Sequence, residues 1–178
     1  MSRNRYVGDY RIVESIDGQG RVRSDYEYIG APWVYAEKAP TVRAARKRVA
    51  LGCLAGWLAW LGALVPVSAA MRTLAIALPF AFAAIPLALT AGTAVSLFRE
   101  REPFEHRHAD RLENRAPACT FFLALLGVIA LVGEAVIALR GAEMLPGDAV
   151  FSVCAAVVTA CAILCHRQWK RLKCKVAE

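Results

Sequence analysis

Residues 49 to 98 read VALGCLAGWLAWLGALVPVSAAMRTLAIALPFAFAAIPLALTAGTAVSLF, and Arg72 is the only charged side chain among them. One straight helix of that length would run roughly 75 Å, more than twice the ~30 Å of hydrocarbon in a bilayer. The chain must therefore turn back, and it can do so between Pro66 and Thr73, where Arg72 reaches the head groups. The stretch predicts a helical hairpin in a membrane, with spans from Val49 to Ala70 and from Thr73 to Phe98.

Two further segments meet the length of a membrane span. Ala116 to Leu139 is interrupted only by Glu134, and Ala149 to Cys165 is free of charge. The chain is 57% apolar with a mean hydropathy of +0.40, too apolar for a surface that faces water. Backbone groups cannot stay unpaired in lipid, so the spans must be helices. The predicted fold class is an all-α membrane protein, a four-helix transmembrane bundle with a small N-terminal β-hairpin.

The predicted organisation has five parts. They are a β-hairpin segment (1–40), a first transmembrane hairpin (41–98), a charged loop (99–116), a second transmembrane hairpin (117–166) and a basic tail (167–178). Of the Lys and Arg residues, ten lie in 1–48, five in 99–115 and five in 167–175, against Arg72 and Arg140 on the other side. The positive-inside rule then places both termini and the charged loop in the cytoplasm of an integral membrane protein.

The N-terminal segment alternates in the manner of a β-hairpin, with strands at Tyr10–Ile16 and Arg21–Ile29. A loop at Gly18-Gln19-Gly20 would set Asp17 opposite Arg21. The same register sets Ile16 against Val22, Ile12 against Tyr26, Tyr10 against Tyr28, Arg11 against Glu27 and Ser15 against Arg23. A slip of one residue would destroy the apolar face.

An isolated hairpin is marginally stable in water, so this one needs a partner. The candidate docking residues are Tyr10, Ile12, Tyr26, Tyr28 and Trp33. Two placements fit Ala31 to Ala36, a short third strand or a segment at the lipid interface, where Trp and Tyr are favoured.

Cations flank the apolar segments and predict contact with anionic lipid. The candidates are Arg43, Arg46, Lys47, Arg48, Arg167, Lys170, Arg171 and Lys173. The bias of charge toward one side accounts for the net charge of +7, so nucleic acid is not an expected partner.

Glu134 is the one ionisable side chain well inside a span, which makes it the first candidate for function. Pairing with Arg72 or Arg140 is one interpretation, and a proton or cation role is the other. Pro79 and Pro86 are seven apart on one helix face, where they would either open a cavity or simply bend a packed helix. Gly52-x-x-x-Gly56 fits either a dimer face or packing within the chain.

No metal or cofactor site is predicted. The cysteines Cys53, Cys119, Cys154, Cys161, Cys165 and Cys174 contain no C-x-x-C, and cysteine packs well in helices. His106 and His108 would face apart on a helix.

Three functions remain open. The first is a non-enzymatic interaction or accessory subunit, whose cytoplasmic hairpin, loop and tail dock another membrane or cytoplasmic protein or a second copy. The second is a small oligomeric transporter or channel-like protein that uses Glu134, Pro79 and Pro86. The third, a membrane enzyme acting on lipid or thiols, rests on the histidines and cysteines alone.

Overall fold

Most of the chain is helical. The computed structural model describes residues 7–16, 22–99, 102–140 and 145–177. The strands in these ranges are β1 (Tyr10–Ile16), β2 (Val22–Tyr28), β3 (Trp33–Tyr35) and β4 (Cys174–Val176). The helices are α1 (Ala39–Ala63), α2 (Ala69–Arg72), α3 (Leu74–Phe82), α4 (Ala84–Arg99), α5 (His106–Asp110), α6 (Ala116–Leu139) and α7 (Pro146–Arg171). A π-helical turn, Arg111–Arg115, joins α5 to α6.

The N-terminal hairpin has the predicted register. Opposite residues of β1 and β2 are Tyr10 and Tyr28, Arg11 and Glu27, Ile12 and Tyr26, Ser15 and Arg23, and Ile16 and Val22. The predicted loop at Gly18 to Gly20 and the pairing of Asp17 with Arg21 lie outside the described residues. Alternation with period two is enough to fix this register, because any slip of one residue reverses the faces.

Among the described residues, three helical stretches are long and apolar enough to cross a membrane: Leu74–Arg99, His106–Leu139 and Pro146–Arg171. The sequence predicts a fourth from Val49 to Ala70, but α1 ends at Ala63. Its charge-free part, residues 49 to 63, is therefore 15 residues long. Pro66 disfavours the helical conformation at Val65, which explains why the helix stops before the predicted boundary.

The helix α7 lies between α1 and α6 and packs along both. Gly52 and Gly56 of α1 lie against this helix: a Cβ on Gly52 would come within 2.6 Å of the Cys165 sulfur. A Cβ on Gly56 would lie 3.8 Å from the Cβ of Cys161. The small residues therefore serve packing within the chain.

The predicted second span is broken at Ala83, between α3 and α4. The ring of Phe80 is buried beside the break, 4.9 Å from the ring of Phe151, and stacks on Trp60. The Phe80 carbonyl accepts a hydrogen bond of 3.0 Å from Nε1 of Trp60. Aromatic rings thus fill the interior next to the bend.

Candidate functional site

A polar layer caps one end of the helix bundle, and it consists of β1 to β4, residues 102–105 and α5. β3 pairs antiparallel with β4, which sets Trp33 opposite Val176 and Tyr35 opposite Cys174. Trp33 also exchanges two backbone hydrogen bonds of 2.9 Å with Phe104. The N-terminal segment, the charged loop (99–116, called the middle loop from here on) and the tail therefore meet at Trp33.

The pairing of β3 decides between the two placements predicted for Ala31 to Ala36. A strand forms, but within the described residues its partner is the tail and the hairpin is a separate sheet. The tail turns back because Trp169 and Leu172 are buried in the core that β3 also borders. The sequence indicates neither the burial of Trp169 nor the strand that follows, since the tail has no alternating pattern.

Aromatic and imidazole rings hold the polar layer together. Trp33 stacks on His106 with ring centres 5.2 Å apart and planes inclined by 7°. Phe104 lies between Tyr35 and His108, 4.9 Å from each ring centre. His106 and His108 thus have different neighbours. Within the part of the chain that the structure describes, no three histidine, cysteine or acidic side chains could hold a metal ion.

The near end of the hairpin docks on the middle loop through its two paired tyrosines. The Tyr10 hydroxyl donates to the Glu105 carboxylate, and burial together with this carboxylate raises the pKa of Tyr10 to about 12. The Tyr28 hydroxyl accepts from the His106 N–H at 3.0 Å and donates to the Ala31 carbonyl at 2.9 Å.

The far half of the same hairpin face is uncovered. Ile12 is 61% exposed, Tyr26 74% and Val22 63%. Of the five predicted docking residues, Tyr10, Tyr28 and Trp33 are partly buried within the polar layer, so only Ile12 and Tyr26 remain as open surface. We call Ile12, Val22 and Tyr26 the open face; the exposed pair Glu14 and Ser24 lies between them on the same side of the hairpin.

The tail is fixed by a carboxylate of the loop. The backbone N–H of Cys174 donates to Oε1 of Glu113 at 2.9 Å. Burial, with the charges of Glu113 and Glu102, raises the pKa of the Cys174 thiol to about 12. The thiol is therefore protonated at neutral pH and is a poor nucleophile.

The predicted lipid-contact cations lie at the boundary between the polar layer and the apolar helices. All but Arg46 are exposed; these are Arg43, Lys47, Arg48, Arg167, Lys170, Arg171 and Lys173. Arg46 is half-buried, with its guanidinium carbon 5.5 Å from the centre of the Tyr35 ring.

Glu134 is buried inside the bundle, with 4% of its surface exposed. Among the described residues neither carboxylate oxygen has a hydrogen-bond partner, and the Ser152 hydroxyl of α7 lies nearby. Arg72 and Arg140 are both exposed, and the predicted pairing with them is not formed. Arg140 follows Glu134 by six positions, which on a helix places the two side chains about 120° apart around the axis. This spacing explains why the two side chains do not meet.

A second buried carboxylate, Asp148, holds the opposite end of the bundle. Its Oδ1 accepts from the backbone N–H of Ala69 at 2.7 Å and of Ala70 at 3.3 Å, and its Oδ2 accepts from Leu145 at 2.7 Å. Gly147 allows this contact, because a Cβ there would come within 2.1 Å of the Val67 carbonyl oxygen. Sequence reasoning missed Asp148, although its position in the first turn of a helix is a capping signal.

No protein-family model, curated protein or solved structure matches this chain.

The arrangement offers two kinds of chemistry. The polar layer holds its aromatic residues in place and leaves the open face for recognition by apolar contact. Glu134 offers a carboxyl group that is shielded from water and can bind or release a proton.

Proposed function

We propose that this chain is an integral membrane protein that crosses the bilayer four times and has no reaction of its own. Its polar layer would lie in the cytoplasm and dock another protein through the open face. The proposal rests on one observation about the hairpin. Its near end is packed on the middle loop, while Ile12 and Tyr26 at its far end are 61% and 74% exposed.

The pairing within the polar layer supports four crossings, with α1 as the fourth. The backbone of Trp33 is hydrogen-bonded to that of Phe104 and is paired with Val176, so all three residues must lie on the same side of a membrane. The chain must then cross an even number of times between residues 33 and 104, and again between 104 and 176. With a crossing at Leu74–Arg99, α1 has to supply the other one in the first interval.

The distribution of charge supports the orientation. The cations at the start of α1 and the end of α7 lie beside the polar layer. Arg72, the last residue of α2, and Arg140, which follows α6, lie at the opposite end of the bundle. Because translocated loops are poor in Lys and Arg, the polar layer belongs in the cytoplasm.

The open face is too small to form a stable interface by itself. Its three side chains cover only a few hundred Å², whereas a stable protein–protein interface buries roughly 1,200 Å² or more, so a partner must contact neighbouring surface as well. Within the described residues β1 and β2 pair only with each other, so their outer edges are also available. A cytoplasmic domain with an open sheet edge could add to one of these strands and cover the face.

Site-specific photo-cross-linking tests this proposal. The cross-linker p-benzoylphenylalanine replaces Tyr26 on the open face or, as the matched control, its neighbour Asp25 on the opposite face. We expect an adduct with a different protein from position 26 alone, and its loss in the Ile12→Asp background while membrane insertion is kept. An adduct with a second copy alone, equal adducts from both positions, or no adduct would contradict the proposal.

One observation favours a second function, the passage of protons or cations through a small oligomer. Glu134 is buried without a hydrogen-bond partner among the described residues. We expect Glu134→Gln to abolish a pH-dependent flux into proteoliposomes, and Glu14→Gln on the exposed hairpin to leave it unchanged. If the wild-type protein carries no more flux than empty vesicles, or if Glu134→Gln leaves the flux intact, this function is rejected.

A further inference from the structure

We infer that the start of α1 holds the headgroup of one anionic phospholipid from the inner leaflet. A groove of about 620 Å³ lies between the first turns of α1 and the end of α4. Its lining consists of Ala39, Pro40, Arg43, Ala44, Arg46, Lys47 and Phe98. Among the described lining side chains three are cations and none is a carboxylate, so they favour an anion.

One face of α1 is cationic beside the groove and becomes apolar further along the helix. Arg43 and Lys47 are one turn apart, and Leu51 follows after one more turn, on the same face. Leu54 and Leu58 continue this apolar row, and all three leucines are well exposed. This order matches a phospholipid, whose phosphate precedes its acyl chains.

The groove is also connected to the polar layer. Arg46 lines the groove and at the same time lies over the Tyr35 ring of β3. A bound headgroup would therefore hold Arg46 in place against β3 and strengthen the attachment of the layer to the membrane surface.

The inference rests on the proposed membrane placement, but it can fail independently of partner docking. The groove and the open face share no residue. Cross-linking from position 26 can succeed whether or not lipid occupies the groove.

Lipid titration of the purified full-length chain in mild detergent tests the inference, with bound lipid counted by native mass spectrometry. The probes are phosphatidylglycerol, phosphatidylcholine and inorganic phosphate. We expect one phosphatidylglycerol to bind more tightly than phosphatidylcholine, and inorganic phosphate not to compete. Because one cation near the surface contributes about fivefold, Arg43→Gln with Lys47→Gln should weaken the binding roughly 30-fold.

The matched control is Arg11→Gln with Lys175→Gln, which removes two exposed cations of the polar layer that line no part of the groove. This variant should bind phosphatidylglycerol as the wild type does, and so should the charge-preserving Arg43→Lys with Lys47→Arg. If phosphatidylglycerol binding weakened equally in the groove and control variants, its cause would be general charge attraction, and the inference would be overturned. Competition by inorganic phosphate, or equal binding of phosphatidylcholine, would overturn it as well.

Discussion

At the scale of single residues, Glu134 places a polar group in the bundle without a hydrogen-bond partner among the described residues. A buried polar group in this condition costs about 1–3 kcal/mol. We expect Glu134→Met, which keeps the length of the side chain, to raise the free energy of unfolding in detergent by about that amount. Chemical denaturation measures it, with the exposed Val136→Met on the same helix as control. A loss of stability would mean that the carboxyl group makes a stabilising contact.

Cys174 has a reactivity set by its surroundings. Its pKa of about 12, against an ordinary value of 9.0, leaves little thiolate at neutral pH. We expect its alkylation rate to rise about tenfold per pH unit from pH 7 to 10 without levelling off, because the thiolate fraction increases in that proportion below the pKa. Mass spectrometry of the tail peptide measures the rate.

Glu113→Gln removes one of the charges that raise this pKa and weakens the acceptor for the Cys174 N–H. Alkylation at pH 8 should therefore become faster, while Glu14→Gln on the exposed hairpin should not change it. A plateau near pH 9 in the wild-type profile would contradict the assignment.

At the scale of elements, Gly147 lets the connection between α1 and α2 lie over the start of α7. A methyl group there would meet the Val67 carbonyl oxygen at 2.1 Å, and this backbone atom cannot move alone. We expect Gly147→Ala to lower the free energy of unfolding by about 1–3 kcal/mol. The control, Gly92→Ala, meets nothing within 4 Å on α4 and should gain about 0.5–1 kcal/mol from helix propensity. Equal effects in the two variants would remove this role of Gly147.

The elements also separate what the sequence could predict from what it could not. The hairpin register was predictable because alternation and a glycine-rich loop are local signals. The end of α1 at Ala63 was missed because composition continues apolar to Ala70, whereas Pro66 acts on the backbone. The pairing of β3 with β4 joins residues about 140 positions apart, and no local pattern in a three-residue strand specifies such a partner.

The candidate site also has features that the sequence could predict and features that it could not. Glu134 was identifiable from sequence because a charge in an apolar run is conspicuous, but its failure to pair depends on helix rotation and on the position of α7. The candidate docking residues were predicted as a set, and only the packed structure separates Tyr10 and Tyr28, which contact the middle loop and its neighbours, from Ile12 and Tyr26, which are exposed.

At the scale of the whole molecule, the polar layer ties three distant parts of the chain to one side of the bundle. Within the described ranges, three helices meet both the length and the hydropathy of a membrane span, and α1 does not, because its charge-free part is short. Trp33 is paired with Val176. An odd number of crossings between these residues would place them on opposite sides of the membrane. The short apolar part of α1 thus favours three crossings, whereas the long-range pairing favours the four crossings that we propose.

Cysteine labelling in intact cells distinguishes these topologies. An impermeant maleimide should modify Arg72→Cys and Arg140→Cys from outside, and Arg11→Cys and Lys173→Cys only after permeabilisation, as read by mass spectrometry of each peptide. If α1 lay on the membrane surface without crossing the bilayer, Arg72→Cys would lie on the same side of the membrane as Arg11→Cys. The middle loop would then be translocated, and β3 could not bond to Phe104. Labelling of Arg72→Cys only after permeabilisation would therefore overturn both the fourth crossing and the polar layer as a single assembly.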